Sequence, residues 1–343
     1  MAECILRDGT SISDYGRPYI VSEVNSSHRG NVETAKQMID ASVDIGCDCV
    51  KFQSWSAESL YSKTYYEANP ISKKIVKKVS LTPEQLKDMA EYSSEKGIAF
   101  SSTPYSEAEV DFLIEKCNVP YIKIASMEVN NPRFLKYIGS KHVPIVLSTG
   151  MSSMDEIEGA VEVLEDSGVE QMVILHCVSL YPTVLDTVNL NNILGLRARF
   201  PKYPIGFSDH TEGDEAAVAA VALGAALIEK HLTLDKTKIG MDNGMATEPP
   251  QFTVLVRKCR AIQIAMGSKE RKVTEAELEQ CKNMRRSLTV GRDIKKGHII
   301  TTEDLYAKRP GTGIGPDKLD EIVGKVAKRD IEADTLIGFE DFE

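Results

Sequence analysis

The chain has 343 residues, of which 42% are hydrophobic and 27% charged, and its formal net charge is -10. This composition is that of a globular protein and excludes a disordered, collagen-like or coiled-coil chain. The acidic balance argues against nucleic acid or an anionic membrane as a partner, and no apolar stretch has the length of a membrane span. The length favours one large domain and one small domain.

The cysteines and the N-terminal residues bear on the cellular compartment of the protein. Seven cysteines are scattered along the chain and form no Cys-x-x-Cys pair. This pattern predicts free thiols in a reduced, cytoplasmic protein and no disulfide framework. Residues 1–14 lack a basic start followed by an apolar core, so we expect no secretory signal.

Short β-rich runs alternate with helical segments as far as about residue 280. The strand candidates are Tyr19–Glu23, Asp48–Gln53, Ala99–Ser102, Tyr121–Ile124, Pro144–Ser148, Met172–Cys177, Pro204–Phe207 and Ala226–His231. Helix signals lie between them, such as Thr82 as N-cap with Pro83 at the first helical position. Eight such units predict an α/β fold of the (β/α)8 TIM-barrel type. The alternative, an open doubly wound sheet, lacks a G-x-G-x-x-G turn after its first strand.

The pattern changes after about residue 280. Short strands and single-turn helices predict a small β-rich domain, whose roughly 55 residues are marginal for independent stability. We expect a barrel over residues 1–267, a charged helical linker over 268–285 and the small domain over 286–343. The segment between Gln53 and Leu81 is long for a βα loop, and a loop of this length is usually a functional or a partly ordered lid.

Two lysines are predicted to face the barrel interior, where function resides at the carboxyl ends of the strands. Lys51 and Lys123 each lie between two apolar residues of a strand, and side chains alternate between the two faces. With several hydroxyls nearby, they predict a site for a phosphate or a carboxylate. The alternative is that each lysine pairs with a barrel glutamate such as Glu23 or Glu229.

Two histidines follow neighbouring predicted strands. His210 and His231 end strands that should lie about 4.8 Å apart, so both could reach one metal ion, with water or substrate in the open positions. The alternative is one core histidine and one surface histidine. The sequence contains no P-loop, H-E-x-x-H or G-x-S-x-G motif.

Motifs distributed from about residue 17 to the C-terminus resemble those of one enzyme family. They are Ser22-Glu-Val-Asn-Ser-Ser-His-Arg-Gly, Val50-Lys-Phe-Gln, Phe100-Ser-Ser-Thr-Pro, Lys123-Ile-Ala-Ser-Met-Glu, Leu147-Ser-Thr-Gly-Met, Leu175-His-Cys-Val-Ser-Leu-Tyr-Pro, Gly206-Phe-Ser-Asp-His-Thr and Ile228-Glu-Lys-His. Together they resemble the sialic acid synthases, which make N-acetylneuraminic, legionaminic or pseudaminic acid. The tail, with Lys308-Arg-Pro-Gly-Thr-Gly-Ile, resembles the SAF (antifreeze-like) domain attached to this barrel.

The resemblance implies a carbon–carbon bond-forming transferase. Phosphoenolpyruvate adds through C3 to the aldehyde of an open-chain N-acetylated hexosamine, either N-acetylmannosamine or a diacetamido hexose. Water attacks C2 and phosphate leaves. The resemblance also implies a divalent ion on His210 and His231, Mn²⁺ with Mg²⁺ or Co²⁺ as alternatives. It further implies a domain-swapped homodimer in which Arg309 of one subunit reaches its partner's active site.

The resemblance also implies roles for individual residues. Glu23 and Glu128 are the catalytic candidates, which would move protons at the attacking water or at the new alkoxide. The phosphoenolpyruvate site would comprise Lys51, Thr103, Lys123, Ser126, Ser148 and Ser208. The sugar side would comprise Gln53, Ser179, Tyr181, Asp242 and Arg309.

The sequence departs from the family pattern at several positions, of which the segment around Asp242 should line the sugar side. Asn25 stands where a small residue is usual, Ser27 precedes His28 where asparagine is usual, and Ser179 stands where asparagine is frequent. Near Asp242 the common His-Lys pair is absent. The acceptor sugar therefore stays open. Two alternative functions are another phosphoenolpyruvate-dependent 3-deoxy-sugar synthase, which the SAF tail disfavours, and a non-catalytic sugar- or metal-binding descendant, which the intact lysines and histidines disfavour.

Overall fold

The computed structural model of the chain describes residues 1–238 and 240–343. They form two compact units, Met1–Gly267 and Ser268–Glu343. The strands are β1 (Glu3–Ile5), β2 (Ser11–Ser13), β3 (Tyr19–Glu23), β4 (Cys49–Gln53), β5 (Ala99–Thr103), β6 (Ile122–Ile124), β7 (Ile145–Ser148), β8 (Met172–Cys177), β9 (Ile205–Asp209), β10 (Leu227–His231), β11 (Ser287–Val290) and β12 (Leu305–Lys308).

The helices of the first unit are α1 (Val32–Ile45), α2 (Ala57–Leu60), α3 (Lys63–Ala68), α4 (Pro70–Val79), α5 (Pro83–Glu95), α6 (Glu107–Glu115), α7 (Pro132–Gly139), α8 (Met154–Asp166), α9 (Asn192–Arg199), α10 (Glu215–Ala222) and α11 (Pro249–Met266). The second unit contains α12 (Glu275–Met284) and α13 (Leu319–Ile322). Short 3₁₀ turns cover Ser126–Glu128, Leu185–Thr187, Thr302–Asp304, Pro316–Lys318 and Phe339–Asp341. No helix within the described residues is both long enough and apolar enough to span a membrane.

Strands β3 to β10 form a nearly closed parallel barrel. Within the described part of the chain they make one eight-stranded sheet, in the order β5-β4-β3-β10-β9-β8-β7-β6. Between β5 and β6, Ser101 Oγ donates to the carbonyl oxygen of Tyr121 at 3.5 Å. The predicted TIM-type barrel is confirmed, and every predicted strand agrees with an observed one to within two residues at each end.

Side-chain alternation divides the apolar residues of the barrel into two cores. Val50, Phe52, Ile122 and Ile124 point outward and pack in the large cluster between strands and helices. Residues on the other face fill the floor of the barrel together with the β1–β2 hairpin, namely Cys49, Tyr121, Val146, Val173, Cys4, Leu6 and Ile12. The floor is therefore apolar and closed, and polar inward-facing residues occupy the carboxyl ends of the strands.

Local sequence signals explain where the helices begin and end. The Thr82 side chain accepts from Gln85 N while Gln85 reaches back to Thr82 N, which makes the predicted capping box with Pro83 at the first helical position. Helix α1 begins at the N-cap Asn31 and ends at Gly46, whose φ of 84° is readily available only to glycine.

The segment between β4 and α5 is helical, so of the two interpretations that the sequence offered, partial order is not what the structure shows, and a functional role stays a prediction. It contains α2, α3 and α4, of which the first two begin at the serine N-caps Ser56 and Ser62. Trp55, Tyr66 and Val76 are buried in a small apolar cluster of their own. This cluster accounts for the order, because burial of aromatic side chains offsets the entropy cost of fixing the segment.

The second unit is the predicted small β-rich domain. Strands β11 and β12 pair in an antiparallel ladder from Ser287↔Lys308 to Val290↔Leu305. Isolated bridges such as Ile294↔Ile331 extend this pattern, and the apolar core includes Leu288, Ile300 and Ile322. Residues 268–285, predicted as a linker, contain α12 and group with this unit.

Candidate active site

A cavity of about 240 Å³ opens at the carboxyl ends of the barrel strands. Its wall contains most of the residues that the sequence analysis singled out, namely Glu23, Lys51, Gln53, Thr103, Lys123, Ser126, Ser148, Ser179, Tyr181, Ser208, His210, His231 and Asp242. Further lining residues that the sequence analysis did not assign to the site are Tyr105, Ala125, Met127, Met151, Cys177 and Glu229.

Lys51 is held between two glutamates at the base of the cavity. Its Nζ forms a buried ion pair with Glu23 and lies 3.6 Å from Oε1 of Glu229. It also donates to Thr103 Oγ1 at 3.2 Å. Burial alone would lower the pKa of Lys51, but the charges of Glu229 and Glu23 outweigh burial and raise it. The glutamate pairing that the sequence left open therefore exists for Lys51.

Lys123 has a different environment. Its Nζ donates to Ser148 Oγ at 2.6 Å and to the carbonyl oxygen of Ile124 at 3.0 Å, both of which are neutral acceptors. Burial, with the nearby charge of Lys51, lowers the pKa of Lys123. An ammonium group bonded only to neutral oxygens retains its attraction for an anion, so Lys123 is the stronger candidate for an anion anchor.

Glu23 lies at the centre of a hydrogen-bonded network. Its Oε1 accepts from Gln53 Nε2 at 3.1 Å and from the backbone N–H of Asn25 at 2.8 Å. Gln53 in turn accepts from the Tyr105 hydroxyl at 3.0 Å. Burial raises the pKa of Glu23 to about 7 against the opposing charge of Lys51. A carboxyl group that titrates near neutral pH in a cavity is suited to proton transfer.

The two histidines face each other across the cavity wall. The centroids of the His210 and His231 rings lie 5.4 Å apart, and both residues are buried. The alternative of one core and one surface histidine is therefore wrong. The Tyr181 ring packs on them, with its centroid 4.2 Å from that of His210 and 6.0 Å from that of His231.

The protonation of the two imidazoles bears on metal binding. Burial alone would lower the pKa of His210, but Cys177 and the carbonyl group of Val178 outweigh burial and raise it. Nδ1 of His210 faces the carbonyl oxygen of Val178 at 2.8 Å and so carries the proton, which leaves Nε2 as the ligand atom. Burial lowers the pKa of His231 well below its usual value, which keeps it in the neutral form that binds metals. Over residues 1–238 and 240–343 no group of three or more His, Cys, Asp or Glu is arranged to hold an ion. The protein would supply two imidazoles, and water or ligand atoms would complete the coordination.

A glycine keeps the hydroxyl side of the cavity open. Ser126 Oγ accepts from the backbone N–H of Gly150 at 2.9 Å. A Cβ at Gly150 would come within 2.3 Å of Ser179 Oγ and 3.0 Å of Ser126 Oγ. Any larger residue at position 150 would therefore displace hydroxyls that line the cavity.

Two predicted site residues do not line this cavity. Glu128 ends the 3₁₀ turn after β6, and its Oε2 accepts from Asn131 Nδ2 at 2.7 Å, at the start of α7. Its carboxylate contacts the start of α7, and its role as a catalytic residue stays a prediction. Arg309 belongs to the second unit, where it is exposed and its Nε donates to the carbonyl oxygen of Met284 at 3.1 Å. Its placement in a partner's active site stays a prediction.

Sequence patterns could have identified some of the lining residues that the analysis missed. Glu229 shares a strand face with His231 because the two are separated by one residue. Strand alternation therefore predicts Glu229 as a lining residue as well as a lysine partner. Cys177 ends β8 and follows the same strand-end rule, and its Sγ lies 3.9 Å from His210 Nδ1. Tyr105 follows β5 in a loop, where no periodicity predicts its direction.

Comparison with known protein families shows which family the chain belongs to. Residues 38–271 match the NeuB family, and residues 285–343 match the SAF domain. The chain belongs to the NeuB family.

Named relatives of this NeuB-family chain are synthases of sialic-type acids. It is 37% identical to the N,N′-diacetyllegionaminic acid synthase of Campylobacter jejuni, over 93% of this chain and 98% of the relative. It is 32% identical to the N-acetylneuraminate-9-phosphate synthase of Homo sapiens, over 93% of this chain and 91% of the relative. The N-acetylneuraminic acid synthetase of Leptospira borgpetersenii, solved in complex with citrate, has a TM-score of 0.75 and 30% identity, over 81% of this chain and 96% of its own.

These matches confirm the predicted membership of the sialic acid synthase family and the prediction that the chain is an enzyme of this type. The relatives differ in their products, since one is a synthase of a diacetylated legionaminic acid and another a synthase of a phosphorylated neuraminate. Family membership therefore leaves the acceptor sugar of this chain open.

Proposed function

We propose that this NeuB-family enzyme condenses phosphoenolpyruvate with an open-chain N-acetylated hexosamine, N-acetylmannosamine or a diacetamido hexose. The products are a nonulosonic acid and phosphate. A divalent ion on His210 and His231 assists, and Mn²⁺ is proposed ahead of Mg²⁺ and Co²⁺. The observation that carries the proposal is the joint presence, in one cavity, of two buried lysines among hydroxyls and of two facing imidazoles.

The charge balance of the cavity supports joint binding of anion and cation. The wall carries two ammonium groups, Lys51 and Lys123, and three carboxylates, Glu23, Glu229 and Asp242. With all five groups ionised, two positive and three negative charges leave the wall with a net charge of −1. Phosphoenolpyruvate adds further negative charge, which is costly in a buried site unless it is compensated. A bound divalent cation would supply that compensation and leave Glu23 free to accept a proton.

The side chains divide into an anion end and an imidazole end. Lys123 is the proposed main anchor for phosphoenolpyruvate. Lys51 is proposed to interact both with the ligand and with Glu23. Hydroxyl groups complete the anion end by donating to phosphate or carboxylate oxygens; they belong to Thr103, Ser126, Ser148 and Ser208. Gln53, Ser179, Tyr181 and Asp242 are proposed to contact the sugar at the imidazole end.

The proposed reaction balances as acceptor plus phosphoenolpyruvate plus water giving product plus phosphate. C3 of phosphoenolpyruvate bonds to the aldehyde carbon, and the aldehyde oxygen gains a proton. Water adds at C2, and the bond from C2 to the bridging oxygen breaks, so that this oxygen leaves with phosphate. Glu23 is proposed to take the proton from the attacking water, because its pKa of about 7 allows it to act as a base at neutral pH. A bound divalent ion would polarise the aldehyde as a Lewis acid.

The homodimer is part of the same proposal. Arg309 of one subunit would contribute to its partner's active site, as the resemblance implies, and its exposure in the second unit leaves its guanidinium accessible. Size measurement in solution tests the dimer, and mixing an Arg309→Ala chain with a His210→Ala chain tests the exchange. Restored activity in the mixture supports it, because each mixed dimer would contain one site with both residues intact.

Phosphate release from phosphoenolpyruvate tests the proposed function. The assay uses Mn²⁺ and a panel of N-acetylmannosamine, its 6-phosphate, a diacetamido hexose and an aldose phosphate without an acetamido group. Release that depends on an acetamido sugar and stops with EDTA supports the proposal. Release only with the aldose phosphate would favour the 3-deoxy-sugar synthase alternative. Failure to bind phosphoenolpyruvate at all would overturn the proposal and leave the binding-protein alternative.

A further inference from the structure

Asn25 connects two carboxylates that line the cavity, although it does not line the cavity itself. Its backbone N–H donates to Glu23 Oε1 at 2.8 Å, and its side-chain Nδ2 donates to Oδ2 of Asp242. The two bonded side chains lie 217 residues apart in sequence. Asn25 is only 4% exposed, and its contact with Asp242 is partly buried. The link therefore joins the loop after β3 to the loop after β10.

The backbone conformation of Asn25 indicates that its side-chain amide has a specific role. Asn25 has φ of 42°, in the left-handed region. Residues other than glycine adopt this region at a cost, although asparagine tolerates it better than most. Glycine would satisfy the backbone with less strain, and it would retain the N–H bond to Glu23. What asparagine adds here is the side-chain amide, and that amide contacts Asp242.

The loop that carries Asp242 is braced by its neighbour. Asn243 is buried, and its Nδ2 donates to the carbonyl oxygens of Asp235 and Lys238, both at 2.7 Å. These bonds fold the loop onto itself and do not involve the carboxylate of Asp242. The loop backbone and the direction of that carboxylate are thus controlled by different side chains, Asn243 for the former and Asn25 for the latter.

Asp242 lies at the imidazole end of the cavity. Burial raises the pKa of its carboxyl group, whereas the charge of His210 and the bond from Asn25 oppose this. An amide donor therefore favours the ionised form and orients one oxygen of the carboxylate. The other oxygen can then accept a hydrogen bond from a hydroxyl or amide of a ligand. Among the described residues, no lysine or hydroxyl of the anion end hydrogen-bonds to the side chain of Asn25 or of Asp242.

We propose that Asn25 is a positioning residue that orients Asp242 toward the acceptor sugar and thereby sets the affinity for the acceptor but not for phosphoenolpyruvate. This inference rests on the proposed function. The ligand chemistry that it assigns to Asp242 is a hydroxyl or N–H donor of the sugar, since a carboxylate accepts hydrogen bonds and repels a phosphate. Glu23 keeps its backbone contact whatever side chain stands at position 25.

The variant Asn25→Gly tests the inference, because it removes the amide and relieves the backbone. Its Michaelis constants are measured for phosphoenolpyruvate and for N-acetylmannosamine or the diacetamido hexose, whichever the wild type uses. We expect the acceptor KM to rise about tenfold and the phosphoenolpyruvate KM to change less than about twofold. The melting temperature should change only slightly, because relief of the backbone offsets the greater freedom of glycine in the unfolded chain, and this separates positioning from stability. Asn118→Gly is the matched control, since Asn118 is exposed and has φ of 47°.

A double-mutant cycle with Asp242→Asn tests whether the two residues act together. If Asn25 acts through Asp242, Asn25→Gly should raise the acceptor KM in the wild type but not in the Asp242→Asn background. Equal effects in both backgrounds, an unchanged acceptor KM, or an equal rise in the phosphoenolpyruvate KM would each overturn the inference while the proposed function stands. A wild type that turns over no acceptor would overturn the proposed function first, and this inference with it.

Discussion

Lys230 Nζ lies 2.6 Å from Oδ2 of Asp209, and both side chains are buried on the face of the sheet opposite the cavity. Asp209 directly precedes His210, and Lys230 directly precedes His231. Asp209 Oδ1 also accepts from the backbone N–H of Thr211 at 2.8 Å. One ion pair thus ties together the ends of β9 and β10, which carry the two imidazoles.

Removing the cation of this pair should destabilise the barrel. In Lys230→Met the Asp209 carboxylate stays buried without its counter-charge, so we expect the free energy of unfolding to fall by about 3–5 kcal/mol. Urea denaturation measures the change. The control Lys236→Met removes an exposed lysine and should alter stability by less than about 0.5 kcal/mol. Equal effects for the two variants would show that the buried pair contributes little.

Substitutions of the two cavity lysines should differ in their effects on ligand binding and on stability. Lys123 donates hydrogen bonds to neutral oxygens, so Lys123→Met should weaken phosphoenolpyruvate binding by about thirtyfold or more. Burial alone would raise the pKa of Glu229, but the charges of Lys123 and Lys51 lower it, so Lys123→Met should also lose some stability, less than Lys51→Met does. Lys51→Met should weaken binding and also destabilise the fold, because Glu23 and Glu229 lose their shared cation. Calorimetric titration and urea denaturation measure the two quantities. Similar losses of stability in both variants would contradict the different environments described for them.

Metal binding should require the facing imidazoles. His210→Ala should abolish the binding of Mn²⁺, measured by the electron paramagnetic resonance of the free ion, and leave the fold intact. His142→Ala is the control, because His142 is exposed and outside the cavity. Mn²⁺ binding that survives in His210→Ala would refute the assignment of the metal site, and the control should bind Mn²⁺ as the wild type does.

Asp304 should make the second unit sensitive to acid. Burial alone would raise the pKa of this carboxyl, but hydrogen bonds from His298, Thr301 and Arg292 outweigh burial and hold it well below its usual range. A carboxyl group whose pKa is lower in the folded state stabilises the fold above its unfolded pKa of about 4, and this stability is lost as the pH falls toward the folded pKa.

We therefore expect hydrogen exchange in residues 286–343 of the wild type to accelerate as the pH falls below about 4, beyond the intrinsic pH dependence of exchange. In Asp304→Asn the segment should be less protected at neutral pH and should lose less additional protection in acid. Parallel pH profiles for the two proteins would show that this carboxyl group does not control the acid sensitivity.

Much of the barrel and its site is predictable from sequence because strand geometry is regular. Alternation alone places Lys51 and Lys123 inward, and the strand-end rule brings His210 and His231 together. The same alternation predicts Glu229 beside His231. These inferences need only the period of a strand and the common direction of parallel strands.

The parts of the fold and of the site that are harder to predict depend on specific side-chain contacts. Neither the amide of Asn25 nor the carboxylate of Asp242 has a periodic signal that predicts their contact across 217 residues. Glu128 shares a motif with Lys123, but the 3₁₀ turn after β6 directs it to Asn131. The helices between β4 and α5 are short, and their order comes from the buried cluster around Trp55 and Tyr66, which periodicity over so few residues does not reveal.

The central claim is condensation of phosphoenolpyruvate with an acetamido sugar by cleavage of the bond between C2 and the bridging oxygen. Phosphoenolpyruvate labelled with ¹⁸O in that bridging position, incubated with the enzyme, Mn²⁺ and the acceptor panel, tests this claim by mass spectrometry of both products. The account predicts a nonulosonic acid with the mass of acceptor plus phosphoenolpyruvate plus water minus phosphoric acid, and the label in the released phosphate. Phosphate without the label, or released without such a product, would contradict it.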